Sequence, residues 1–236
     1  MRGRGTKTYY RVCNIPTGRN VPMGQKKGIS FAKADPKQTK RMNAIAKVSA
    51  RLFSDKGYME TSMDAIAAAA KVTKGGIYHY FGSKTDILYF ICLTYVDIDL
   101  ENLEQSLNTI NTTSEKIRFI IFRHIEHYTK HMFAAKTLTN EAYNLPVRYF
   151  KEVKAREKRY FSIVSGVLSQ IPSTAGRKDV VTALTFTLFG MMNWIYSWYD
   201  PKGRMKPEEL SQLIYDVFTT GINKPVLGRN HEGGLK

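Results

Sequence analysis

Residues 61–81, TSMDAIAAAAKVTKGGIYHYF, restrict the possible folds more than any other part of the chain. An alanine-rich run up to Ala70 is followed almost at once by Thr73 and a second short run closed by Phe81-Gly82. The spacing predicts two short helices, over 63–70 and 74–81, joined by a turn of about three or four residues. Met63, Ile66, Ala67, Ala70, Val72, Ile77 and Phe81 form the inward set, and the small alanines allow the two axes to cross closely. Thr61 and Thr73 stand where N-terminal caps belong.

The second short helix then presents Lys74, Gly75, Gly76, Tyr78 and His79 outward. Each glycine costs a helix about 1 kcal/mol against alanine, and close approach to a DNA backbone or base edge is a reason to tolerate it. The tips of Tyr78 and His79 suit phosphate oxygens. Lys84 opens the next helix, where free N–H groups and the positive dipole end favour an anion.

Charge agrees. Lys and Arg number 36 against 20 Asp and Glu, a formal net charge of +16 and a pI near 9.8. Such an excess fits a polyanion, nucleic acid or an anionic membrane surface, and the helix pair selects double-stranded DNA. A non-specific basic DNA-binding protein is the competing reading, with a steep salt dependence and little sequence preference. Two cysteines, Cys13 and Cys92, offer no disulfide framework and suit a reducing cytoplasm. No GxSxG elbow, P-loop or paired carboxylate frame is present, so neither an enzyme nor a cofactor is expected.

The remaining chain reads as all-α: a three-helix N-terminal unit and a larger helical one. Residues 1–36, rich in Gly, Pro and basic side chains, read as a basic tail, either a DNA-touching arm or a solvated leader. No apolar run follows the basic start, so no secretory signal is expected. Helices are expected over 37–56, 84–107, 112–130, 131–143, 146–170, 178–199 and 207–221, with Gly57, Thr112-Thr113-Ser114-Glu115, Pro146 and Pro207 as boundary signals. Residues 37–83 form the DNA-binding unit, 84–222 the effector-binding and dimerisation unit, and 223–236 a second tail. The uncharged stretch 180–199 has membrane-spanning length, yet it carries Thr182, Thr185, Thr187, Asn193 and Ser197, and reads as a helix of a subunit interface.

Gly57-Tyr58, Thr61, Ile66-Ala67, Val72-Thr73-Lys74-Gly75, Ile77-Tyr78-His79-Tyr80-Phe81 and Gly82-Ser83-Lys84 resemble the N-terminal domain of TetR-family regulators. The likeness runs over residues 40–88. It implies that Thr73, Lys74, Gly75, Tyr78, His79 and Lys84 contact DNA and that Thr61 approaches the backbone. It also implies an all-α homodimer, paired through its last two helices, that answers to a small molecule. One position departs: the family's turn usually carries Gly where this chain has Lys71, and a left-handed backbone there costs a lysine about 1 kcal/mol.

Residues 189–203 and 207–210 are similar to the C-terminal domain of regulators of fatty-acid and sterol degradation, which respond to acyl-CoA thioesters. That likeness implies a repressor whose effector is an acyl-CoA or another apolar, anionic metabolite. Phe122, Tyr143, Phe150, Asn193, Trp194 and Trp198 are candidates for an apolar tunnel, and Arg148 and Arg156 for phosphates. Plain core aromatics and a solvated charged face are the competing readings. His124, His127 and His131 share one helical face and raise metal sensing as a further alternative.

Overall fold

The computed structural model describes residues 35–222; the two tails, and Cys13 with them, lie outside the described residues. Ten α-helices and three short 3₁₀ turns make up that span, with no strand among the described residues.

Helix α1 (Pro36–Lys56) begins with the Asp35 carboxylate accepting from the Gln38 N–H at 2.8 Å and ends at Gly57, whose φ of +89° suits glycine. Its Met42, Ile45, Ala46, Ala50 and Phe53 recur at helical spacing and are buried. Helices α2 (Met63–Ala70) and α3 (Lys74–Tyr80) pack against it. α4 (Lys84–Leu100) runs from this group into the rest of the molecule. Ile87 to Cys92 are buried on every side of α4, because α1, α7 and α8 all pack against it.

The expectation of one helix to residue 107 is corrected. α4 stops at Leu100, Asn102 turns left-handed at φ +54°, and a separate α5 (Leu103–Asn108) follows. The break lets Leu103 and Leu107 turn into the core, both at most 5% exposed. α6 (Thr113–Lys130) opens with the expected capping box between Thr112 and Glu115. α7 (Met132–Glu141), α8 (Val147–Leu168), α9 (Lys178–Asn193) and α10 (Pro207–Ile222) complete the order. α9 is shorter than expected, its last turn tightening to a 3₁₀ segment over Trp194–Ser197.

Two hydrophobic cores result. One joins α1, α2, α3 and the first half of α4 with Ala142, Leu145 and Val153. The other lies among α5, α6, α8, α9 and α10, with Leu100 packed against both. In the apolar stretch over 178–197, Thr182, Thr185 and Thr187 donate their hydroxyls to carbonyls four residues back, so the helix carries them without an unsatisfied donor. Val181, Thr185, Leu188, Met192 and Ile195 fill the second core, while Phe186, Trp194 and Trp198 stay about half exposed or more.

Candidate nucleic-acid interface

The geometry of α2 and α3 follows from a few contacts. Ile66, Ile77 and Phe81 are fully buried and Ala67 nearly so, which draws the helices together. Between them Lys71 adopts φ +53° and ψ +46°, and its N–H donates to the Ala68 carbonyl at 3.2 Å. The turn therefore keeps the left-handed corner that a glycine would fill, at a cost borne by a lysine. Ser62, not Thr61, caps α2, its Oγ accepting from the Ala65 N–H at 3.1 Å. Thr61 is corrected to a buried residue, 2% exposed, whose hydroxyl donates to the Gly57 carbonyl at 2.8 Å. It offers nothing to an outside partner. Thr73 caps α3 as expected, its hydroxyl accepting from the Gly76 N–H at 3.0 Å.

Thr73, Lys74, Gly75, Tyr78 and His79 lie exposed along the outer face of α3. The two glycines differ. A Cβ at Gly76 would press to 3.2 Å from the capping oxygen of Thr73, so Gly76 has an internal reason. A Cβ at Gly75 would meet nothing within 4 Å, so nothing inside the chain requires glycine there. Lys74 is held by Asp64 of α2 at 2.9 Å, an exposed pair that raises the lysine pKa through the hydrogen bond and charge of that carboxylate.

Lys84 is placed otherwise than expected. Its ammonium turns inward and donates to the carbonyls of Tyr58 at 2.7 Å, Thr61 at 2.8 Å and Met59 at 3.2 Å, which uses all three of its protons. It sits 4.4 Å from the Tyr58 ring centroid, and burial lowers its pKa. The α1–α2 turn is gripped from other sides too. The Tyr58 hydroxyl meets Thr85 at 2.9 Å, and the Glu141 carboxylate of α7, its pKa raised by burial, bonds the Tyr58 backbone. Thr137 of α7 donates to the Ala50 carbonyl of α1 at 3.2 Å. The Glu141 contact has no signature in the sequence, since its partner is a backbone group.

The candidate effector residues are not brought together. Tyr143, Trp194 and Trp198 are exposed, and Arg148 pairs with Glu152 on the surface. Phe150 lies at the edge of the first core beneath Lys154. Phe122 lines a cleft of about 330 Å³ between α6 and the start of α10. Arg156, bound to Asp97 at 2.7 Å, lines a larger cleft of about 600 Å³ between α4 and α8, beside Arg159.

The three histidines are likewise put to separate uses, and no trio of His, Cys, Asp or Glu among the described residues could hold a metal ion. His124 is buried between Tyr160 and Asn193, His127 meets the buried Asp99 at 3.0 Å, and His131 is exposed.

A short helix pair with an exposed polar outer face, carried on a larger helical body, defines a helix-turn-helix regulator. The family description "Bacterial regulatory proteins, tetR family" matches residues 45–89, and "Tetracyclin repressor-like, C-terminal domain" matches residues 111–222, together more than half of the chain. The chain belongs to the TetR family of transcriptional regulators. It is 23% identical over 189 residues to the transcriptional repressor KstR2 of Mycolicibacterium smegmatis, covering 78% of this chain and 91% of that one. The fatty acid metabolism regulator protein of Bacillus subtilis is 28% identical over 184 residues, with 76% and 94% covered. The solved structure of AibR in complex with isovaleryl coenzyme A and operator DNA superposes with a TM-score of 0.66 at 29% identity, covering 75% of this chain and 97% of that one.

Proposed function

We propose that this chain is a ligand-responsive repressor that binds a palindromic operator as a homodimer and leaves it when an acyl-CoA thioester binds. Residues 37–83 read the DNA and residues 84–222 bind the effector and dimerise, in the cytoplasm. The observation that carries the reading is Gly75: a glycine on the exposed face of a helix, with open space around it and Lys74, Tyr78 and His79 beside it. Close approach of an outside backbone explains it. Lys74 and Gly76 face base edges, and Thr73, Tyr78 and His79 meet phosphates.

Dimerisation is supported by Phe186, Trp194, Leu213 and Val217, each 48% exposed or more on α9, α10 and the turn after α9. Apolar groups so exposed on neighbouring helices favour a second copy of the chain. The effector reading is supported by the kinship with AibR, whose structure holds isovaleryl coenzyme A, and by Arg156 and Arg159 at the cleft between α4 and α8, surface guanidiniums whose partners Asp97 and Glu104 a phosphate would have to displace.

Footprinting of the full chain on its own upstream DNA tests this. The expected result is a palindromic site whose half-site centres lie about 34–36 Å apart, with protection lost on addition of an acyl-CoA. Equal affinity for random duplex at physiological salt would sink the reading in favour of non-specific binding.

A further inference from the structure

The face proposed for DNA carries little charge of its own. Between residues 61 and 81 the fixed charges are Asp64, Lys71 and Lys74, so two lysines against one aspartate leave a single net positive charge, in a chain whose total is +16. One of those lysines is already paired. The Lys74 ammonium lies 2.9 Å from one carboxylate oxygen of Asp64 and 3.0 Å from the other, a two-point grip between the start of α3 and the first turn of α2. Neither group is sheltered, their side chains being 55% and 69% exposed.

Stability does not account for the pair. An exposed ion pair contributes little to folding. Lys74 stands at the first position of α3, the end of a helix where the dipole disfavours a cation. Asp64 does not cap α2, because Ser62 accepts from the Ala65 N–H. Lys74 shares the exposed outer face of α3 with Gly75, Tyr78 and His79. A carboxylate fixed there opposes every phosphate that approaches, whatever the sequence. Phosphate contacts carry no sequence information, so this anion lowers affinity for all duplexes alike unless a base compensates.

One kind of base edge does so. The major-groove edge of a G·C pair sets guanine N7 and O6, two adjacent acceptors, beside the cytosine N4 amino donor. An ammonium and a carboxylate held side by side match that order. An A·T pair sets its donor between two acceptors and adds a methyl group.

We propose that Asp64 is a specificity-determining residue: it keeps Lys74 from phosphates and yields it to a G·C pair of the operator, where the ammonium donates to guanine and the carboxylate accepts from the cytosine amino group. The proposal rests on the DNA reading above and assigns to it one base pair and the residue that guards it.

The test is fluorescence anisotropy of the full chain on the footprinted operator and on a scrambled duplex of equal length, over a range of salt, with Asp64→Asn, Lys74→Met and the double variant. Asp64→Asn keeps the size of an exposed side chain and removes its charge. At low salt it should tighten binding to the scrambled duplex about three- to tenfold and to the operator less than about twofold, so the ratio between them falls. On the scrambled duplex the slope of log affinity against log salt should steepen by about 0.9, one phosphate gained by the freed Lys74. That gain should vanish in the double variant. Selection from a random duplex library should return a G·C pair at one position of each half-site with wild-type protein and lose it with Asp64→Asn. A ratio unchanged in Asp64→Asn, a steeper slope that persists without Lys74, or a G·C pair still selected by Asp64→Asn overturns the proposal and leaves the DNA reading standing. Wild-type protein that does not distinguish operator from scrambled duplex overturns both.

Discussion

The Lys84 ammonium lies 2.7 Å from the Tyr58 carbonyl and bonds two further carbonyls of the same turn. A cation at the start of a helix that abuts DNA invites assignment as a phosphate ligand, but its three protons are already committed inside the protein. Lys84 thus positions α2 and α3 by fixing the turn that leads into them. Lys84→Met should cost about 2 kcal/mol of stability from the lost charge-assisted bonds and weaken operator binding, with the slope of log affinity against log salt unchanged. Lys74→Met should instead relax sequence preference, because Lys74 is proposed to face base edges. A slope reduced by about 0.9 in Lys84→Met would show that the ammonium swings out to a phosphate.

Lys71 makes a different prediction at the corner of the same motif. Its backbone is left-handed, where a side chain costs about 1 kcal/mol that glycine avoids. Part of that gain is offset because glycine loses more entropy on folding. Lys71→Gly should raise the melting temperature by a few degrees in thermal unfolding. A lower melting temperature would mean that the lysine side chain makes a compensating contact.

Asp64 places a carboxylate on Lys74 at the face proposed for DNA. Both groups are exposed, so their pairing contributes little to stability. Its larger effect is on binding, because the carboxylate repels phosphates and must release Lys74. Asp64→Asn should tighten duplex binding roughly three- to tenfold at low salt, an advantage that shrinks as salt rises. Unchanged affinity at low salt would place both residues away from the DNA.

Leu213 and Val217 stand one turn apart on α10, 48% and 56% exposed. If they face a second copy, a charge there is buried unpaired on dimerisation. Val217→Glu should sediment as a monomer and, with both half-sites no longer held at once, lose about a hundredfold or more in operator affinity. A dimer that survives the substitution would move the interface elsewhere.

The DNA-facing unit was largely legible in the sequence because its signals are local. The alanine spacing, the Thr73 cap, Gly57 and the inward Ile66, Ile77 and Phe81 all act within a few residues of one another. What escaped was set by distant neighbours. Thr61 and Ser62 are both good caps in isolation, and only the packing of Thr61 against the Gly57 carbonyl decides between them. Lys84 looks outward by sequence and is turned by a backbone turn more than twenty residues earlier. In the larger unit, three histidines on one helical face suggested a shared ligand, yet His124 meets Tyr160 and Asn193, His127 meets Asp99, and His131 lies at the surface. Aromatic residues chosen for a tunnel proved partly to be outward-facing, since hydrophobicity alone does not separate a pocket from an interface.

His124 gives the last prediction, which concerns acid. Burial, partly opposed by the charge of Asp99 and the bond to Asn193, lowers its pKa below the ordinary imidazole value of 6.5. His131 is lowered too, by partial burial and then by His127. In the unfolded chain both imidazoles take up protons as pH falls through about 6.5, whereas in the folded chain they resist. The unfolded state then binds more protons, so stability is complete above that value and declines as pH falls, until the folded pKa values are passed. For the buried His124 the full slope is about 1.4 kcal/mol per pH unit, and the exposed His131 adds less because solvent screens it. Melting temperatures measured from about pH 7 down to about pH 5 should therefore fall. His124→Gln should be less stable at neutral pH, having lost a fitted ring, but should show a flatter decline. Parallel curves for the two proteins would mean that His124 accepts a proton in the folded state as readily as in the unfolded one.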